Sequence, residues 1–122
     1  MFVRDDRASR RGTSLVGIIE IAPAILRNIL GEPMESEGVK TTGEYTFVSE
    51  RGEAVTLYDY KATSRYSPEA PTPEEFWDSD MTEEMHIGAQ NAKVAVAFAF
   101  WLGSRPAIAD AIFEEFPDID GE

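Results

Sequence analysis

Two short runs of this chain carry side chains that together can hold an anion: Thr56-Leu57-Tyr58-Asp59-Tyr60-Lys61 and, further along, His86-Ile87-Gly88. The first reads as a β-strand whose tip presents Tyr58 and Lys61. The second reads as a strand end at which Gly88 opens a helix. Tyr and His offer π faces to a base, Lys neutralises phosphate, and free amides at a helix start donate to phosphate oxygens. Gly88, Ala89 and Gln90 would supply those amides. The candidate binding set is therefore Thr13, Ser14, Lys40, Tyr58, Lys61, His86, Gly88 and Gln90, with Arg65 reaching in from a neighbouring loop.

Catalytic chemistry needs a nucleophile, a base and an orienting group. His86 is the only histidine, it lies in an apolar strand, and the serines lack a nucleophile-elbow context. No catalytic residue is assigned. There is no cysteine, so neither a disulfide framework nor a thiolate metal site is available. The acids at 74–84 lack the spacing of a calcium loop, and Asp118-Ile119-Asp120-Gly121 has only its opening. No metal and no cofactor is expected.

The elements that must position these groups follow from periodicity. A chain of 122 residues is one domain. Residues 1–12 are polar and read as a mobile N-terminal arm, 13–117 as a single α+β domain, and 118–122 as an acidic tail. Residues 13–21 are β-branched and short, a strand. Pro23 and Gly31 bracket a helix over 22–30, with Ile25, Leu26, Ile29 and Leu30 at helical spacing. Residues 39–49 and 54–61 form a hairpin turned at Gly52, with Tyr45 and Phe47 on one face. Period 2 puts Thr56, Tyr58 and Tyr60 on one face and Val55, Leu57, Asp59 and Lys61 on the other, so this strand is central and Asp59 and Lys61 sit near its end or in an ion pair. Thr72-Pro73-Glu74-Glu75 is a capping box that starts a short helix, pinned to the body by Phe76 and Trp77. Residues 85–87 are a strand.

The main helix covers 89–102. It is apolar nearly all round, so one face, with Phe98, Phe100 or Trp101, is expected to meet another subunit in a homo-oligomer. A last helix carries Ile108, Ile112, Phe113 and Phe116 as a stripe. The order is β-α-β-β-(short α)-β-α-α, a small antiparallel sheet covered by helices.

Charge separates two kinds of partner. The net charge is −12, yet the first eleven residues hold four arginines against two aspartates, leaving −14 on the rest. Such a surface repels phosphate backbones at long range and argues against direct nucleic-acid binding. The acids Glu74, Glu75, Asp78, Asp80, Glu83 and Glu84 offer an alternative protein-binding surface. No apolar run is long enough to span a membrane. The apolar stretch after the N-terminal arginines is short and contains Glu20, so it is not read as a leader. A cytoplasmic location is expected.

Taken in order, Thr13-Ser14-Leu15-x-Gly17-x-Ile19, Leu30-Gly31-x-Pro33, Lys40-Thr41, Glu44-Tyr45, Thr56 to Lys61 and Ile87-Gly88 resemble a group of small uncharacterised phage proteins. Those carry Ser-Leu-x-Gly-Tyr-Ile, Phe-Gly-x-Pro, Glu-Trp, Ile-Tyr-Asp-Trp-Lys and Trp-x-Ile-Gly-Gly motifs. The resemblance covers about residues 13–100. Here Ile18 stands for Tyr, Tyr45 and Tyr60 for Trp, and Ala89 for the second Gly; residues 62–85 and the acidic end look like additions. The resemblance implies a viral origin and an accessory role against the host, in the host cytoplasm.

Three functions are compatible with these features. The first is a phage anti-defence sponge, a binding protein that sequesters a small nucleotide immune signal, such as a cyclic nucleotide, without turnover. The second is an acidic inhibitor of a host defence protein, acting as a DNA mimic. The third is a small enzyme, which lacks an evident catalytic constellation.

Overall fold

The computed structural model describes residues 1–108 and 111–115. In chain order the elements are β1 (Phe2–Arg4), β2 (Ser14–Ile21), α1 (Pro23–Leu30), β3 (Met34–Glu35), β4 (Gly43–Ser49), β5 (Ala54–Tyr58), α2 (Pro73–Trp77), β6 (Glu83–Ala89), α3 (Ala92–Gly103), a 3-10 turn (Pro106–Ile108) and β7 (Ile112–Glu115). The strands form one antiparallel sheet in the order β1-β4-β5-β6-β2-β7, with β3 added to the start of β4. The α+β class is as expected from the sequence.

Alternation along the strands divides the sheet into two unlike faces. Tyr45 and Phe47, Val55 and Leu57, and Met85, Ile87 and Ala89 turn to one side. There they pack on Leu26 of α1, Phe76 and Trp77 of α2, and Phe98 and Leu102 of α3. All three helices thus cover the same face. The other face carries Glu44, Thr46, Thr56, Tyr58, His86 and Gly88, a polar and aromatic set with no helix over it among the described residues.

Local chemistry explains the element ends. Pro23 opens α1, and the Gly31 amide closes it on the Arg27 carbonyl at 2.9 Å. Gly52, at φ 81°, supplies the left-handed residue of the β4–β5 loop. Thr72 and Glu75 make the capping box of α2 reciprocally, at 3.1 and 2.9 Å.

Four expectations are corrected. Residues 1–12 are not a free arm: β1 pairs along β4, and Phe2 is buried against Phe98 and Trp101. Arg4 secures this segment by donating to the carbonyls of Leu30 and Glu32, both at 2.7 Å, and by lying over the Tyr45 ring. Gly88 opens no helix, because β6 runs on to Ala89 and α3 starts at Ala92, capped by Asn91, whose Oδ1 accepts from the Val94 amide. The strand expected over 39–49 begins at Gly43. The expected last helix is a 3-10 turn followed by β7, which pairs with β2. Its stripe fails because Ile112 is exposed while Ile108 is buried in the core. Phe116 and the acidic residues 118–122 lie outside the described residues.

Candidate functional site

The chain must travel from β1, at one edge, to β2, on the far side of β4, β5 and β6. Four strand spacings are roughly 19 Å, crossed by residues 5–13. This segment passes over the helix-free face. The Asp5 amide donates to the Thr46 carbonyl at 2.7 Å, Arg10 pairs with Glu44, and Thr13 folds back on the Arg10 carbonyl through its amide and hydroxyl. Between this segment and the sheet is a recess of about 450 Å³. Arg10, Thr13 and Ser14 form one wall, Ser36, Thr41 and Glu44 another, and Thr56, Tyr58 and Gly88 the floor.

Gly88 keeps that floor open. A Cβ added to it would lie 2.6 Å from Thr56 Oγ1, closer than side chains tolerate. Thr56 and Gly88 are directly paired across β5 and β6, so the hydroxyl takes the space a side chain would fill.

Beside the recess the same face carries an aromatic group. The His86 ring is 5.9 Å from Tyr58 and 5.1 Å from Tyr60, tilted by 42° to each. The Lys61 ammonium lies over Tyr60 at 5.2 Å and over Tyr66 at 5.1 Å. Burial, with the Glu44 carboxylate adding to it, raises the Tyr58 phenol above its usual pKa, so it stays a protonated donor. Burial also lowers the His86 pKa against the opposing pull of Glu84 and Asp59, which keeps the imidazole neutral at pH 7.

The two lysines are held near each other by their backbones. The Lys61 amide donates to the Lys40 carbonyl at 2.6 Å, with Lys61 at φ 59°. A left-handed lysine is costly unless its surroundings fix it. The Lys40 carbonyl is the contact that holds it, and the loop after Lys40 is anchored in turn by Asp59, which is fully buried and makes no ion pair among the described residues. Its carboxylate accepts from the Thr42 amide at 2.8 Å, the Thr42 hydroxyl at 2.8 Å and the Gly43 amide at 3.0 Å. Trp77 Nε1 donates to the same Thr42 hydroxyl at 3.0 Å, tying α2 to the network. Arg65 is spent on the carbonyls of Ser36 and Gly38, bracing the same loop. Among the described residues, neither Lys40 nor Lys61 has a carboxylate within salt-bridge distance.

Of the binding residues read from sequence, Thr13, Ser14, Tyr58 and Gly88 line the recess. His86 adjoins Tyr58, and Lys40 and Lys61 sit on the stitched loops. Gln90 is exposed in the turn after β6. The amides of Gly88 and Ala89 belong to the sheet ladder, so the helix-start part of the reasoning does not hold. Sequence reasoning passed over Arg10, Thr41 and Thr56. Arg10 falls in the segment that reads from sequence as a mobile arm, and only the +2 charge of that segment marks it.

The six acids of the alternative surface do not act as one patch. Glu75 caps α2, Asp78 and Glu32 both pair with Arg27, and Glu83 is half-buried. Glu74 and Asp80 are exposed near α2, whereas Glu84 shares strand parity with His86 and projects from the opposite sheet face. The expected interface also changes. Phe98 is fully buried among Phe2, Phe47 and Trp101, and Trp101 is half-buried with Arg105 stacked on it at 4.1 Å. Only Phe100, 78% exposed, is free to meet a second copy.

Among the described residues no three His, Asp or Glu side chains converge to hold a metal ion, and no helix is long and apolar enough to cross a membrane. No protein-family model matches the chain, and no curated protein does.

Proposed function

We propose that the protein captures a small anionic nucleotide on the helix-free face of its sheet and holds it without turnover. The observation that carries this reading is the recess between residues 10–14 and the sheet, lined by hydroxyls and Arg10 and flanked by aromatic rings and by Lys40 and Lys61, which have no ion-pair partner among the described residues. Hydroxyls and cations suit phosphate, and exposed rings suit a base. The whole-chain charge of −12 opposes anions at long range, but screening over about 8–10 Å leaves the nearby cations in control. Arg10 is available despite its bond to Glu44, since such a half-exposed pair is worth only about 0–1 kcal/mol.

The resemblance to small phage proteins supports placing this capture in an infected cell, as a sponge for a nucleotide signal of host defence. The exposed Phe100, in line with Ala97 and Lys93 on α3, supports self-association through that helix. The division of the acidic residues between two faces favours capture over DNA mimicry.

The test is thermal unfolding against a panel of linear and cyclic nucleotides. A bound nucleotide at a hundredfold excess over Kd stabilises the fold by about 2.7 kcal/mol, and it is recovered chemically unchanged after heat release. Lys61→Ala and Lys40→Ala each weaken binding with little change in intrinsic melting. A panel without response, or recovery of a cleaved nucleotide, refutes the reading.

A further inference from the structure

We propose that His86 is the base-reading residue of this site: its Nδ1 meets the hydrogen-bonding edge of a heteroaromatic base that enters by lifting Tyr60. The inference rests on the capture reading and deepens it, by assigning the residue that distinguishes one nucleobase from another.

Among the described residues, His86 Nδ1 is the buried side-chain nitrogen or oxygen without a hydrogen-bond partner. The neighbouring buried polar groups are all satisfied: Asp59 by three donors, and Trp77 Nε1 by the Thr42 hydroxyl. A fold that completes that network and leaves one imidazole nitrogen open, on the face bearing the recess, has a vacancy in its hydrogen bonding at that place. A neutral imidazole nitrogen pairs as readily with the amino, imino or carbonyl edge of a base as with protein.

The surroundings suit a flat heteroaromatic ring better than a bare phosphate. Tyr58 and Tyr60 flank His86, and neither stacks parallel on it. Nδ1 itself is buried, so a ligand reaches it only if a neighbouring group moves. Tyr60 is the ring able to do so. It is 36% exposed and lies two residues beyond the end of β5, outside the ladder, whereas Tyr58 is held in the strand. Lys61, now over Tyr60 and Tyr66, has the stem length to leave those rings for a phosphate when a base takes its place. The recess beyond Tyr58 then receives the sugar and phosphate.

The experiment compares wild type, His86→Phe and His86→Asn by calorimetry. The probes are the four ribonucleoside 5′-monophosphates, 3′,5′-cyclic mono- and dinucleotides, and ribose 5-phosphate as the baseless control. His86→Phe keeps a ring without nitrogen, and His86→Asn restores a polar atom near the Nδ1 position; melting temperature confirms that each is folded. Wild type is expected to prefer one base and to bind ribose 5-phosphate at least tenfold more weakly. His86→Phe loses that base preference by about five- to tenfold, the size of one neutral hydrogen bond, with ribose 5-phosphate unaffected. His86→Asn recovers part of it. Equal wild-type affinity for nucleotides and ribose 5-phosphate, or an unchanged base ranking in His86→Phe, overturns this inference and leaves capture standing. Failure of wild type to bind any probe overturns both.

Discussion

Replacing Asp59 by alanine tests whether the lysine-bearing loops are held by the buried carboxylate. Asp59 has no exposed surface, and three donors converge on it: the Thr42 amide, the Thr42 hydroxyl and the Gly43 amide, at 2.8 to 3.0 Å. Alanine strands all three. A buried donor left unmade costs about 1–3 kcal/mol. The Thr42 hydroxyl can rotate away and water can enter the space, so the expected loss is about 4 kcal/mol rather than the full sum. That is a large share of the roughly 5–15 kcal/mol that stabilises a domain.

Asp59→Asn separates hydrogen bonding from charge. Its carbonyl oxygen still accepts both amides, and its NH2 group faces the Thr42 hydroxyl, which rotates to accept. The expected cost is about 1–2 kcal/mol. Urea unfolding followed by tryptophan fluorescence measures both, since Trp77 donates to Thr42 in the same network. A loss under about 1 kcal/mol for alanine would refute the reasoning, as would an Asn variant no more stable than the Ala variant. Lys61 should also leave its left-handed conformation in the alanine variant, so nucleotide capture falls with it.

Gly88→Ala forces a methyl onto Thr56 Oγ1 and is expected to cost about 1–3 kcal/mol and to block capture; adding Thr56→Ala should restore stability, and a double-mutant cycle without coupling counts against the contact. The folded His86 pKa lies below its unfolded value, so the unfolded chain takes up the proton first and stability is lost as pH falls below about 6.5. His86→Phe removes that part of the pH dependence, and identical stability–pH curves for the two proteins in this window contradict it. Phe100→Asp should dissociate the assembly with little effect on unfolding, whereas Phe98→Ala should cost about 3–5 kcal/mol; sedimentation showing wild type monomeric at micromolar concentration removes the interface.

The sequence alone determined what depends on neighbours along the chain. The alternation of Tyr45 with Phe47 and of Val55 with Leu57 set the buried face of the sheet, because side chains on a strand repeat with period 2. Pro23, Gly31, Gly52 and the Thr72–Glu75 box set their turns and caps by local hydrogen bonding and backbone limits. Tyr58, Lys61 and His86 stand out as binding candidates from residue type alone. Only the tertiary structure decided where they lie relative to one another. Gly88 reads locally as a helix start, but its pairing with Thr56 and Leu15 keeps it in the sheet and makes it the recess floor. The run from Pro106 to Phe113 has helical spacing, yet β2 offers an open edge whose backbone groups β7 satisfies. Asp59 resembles half of an ion pair; its partners are amides and a hydroxyl sixteen or more positions earlier. Arg10 looks like part of a loose tail until β1 pairs with β4 and draws the following residues over the sheet. In each case the deciding partner is distant in sequence, and only chain closure brings it into contact.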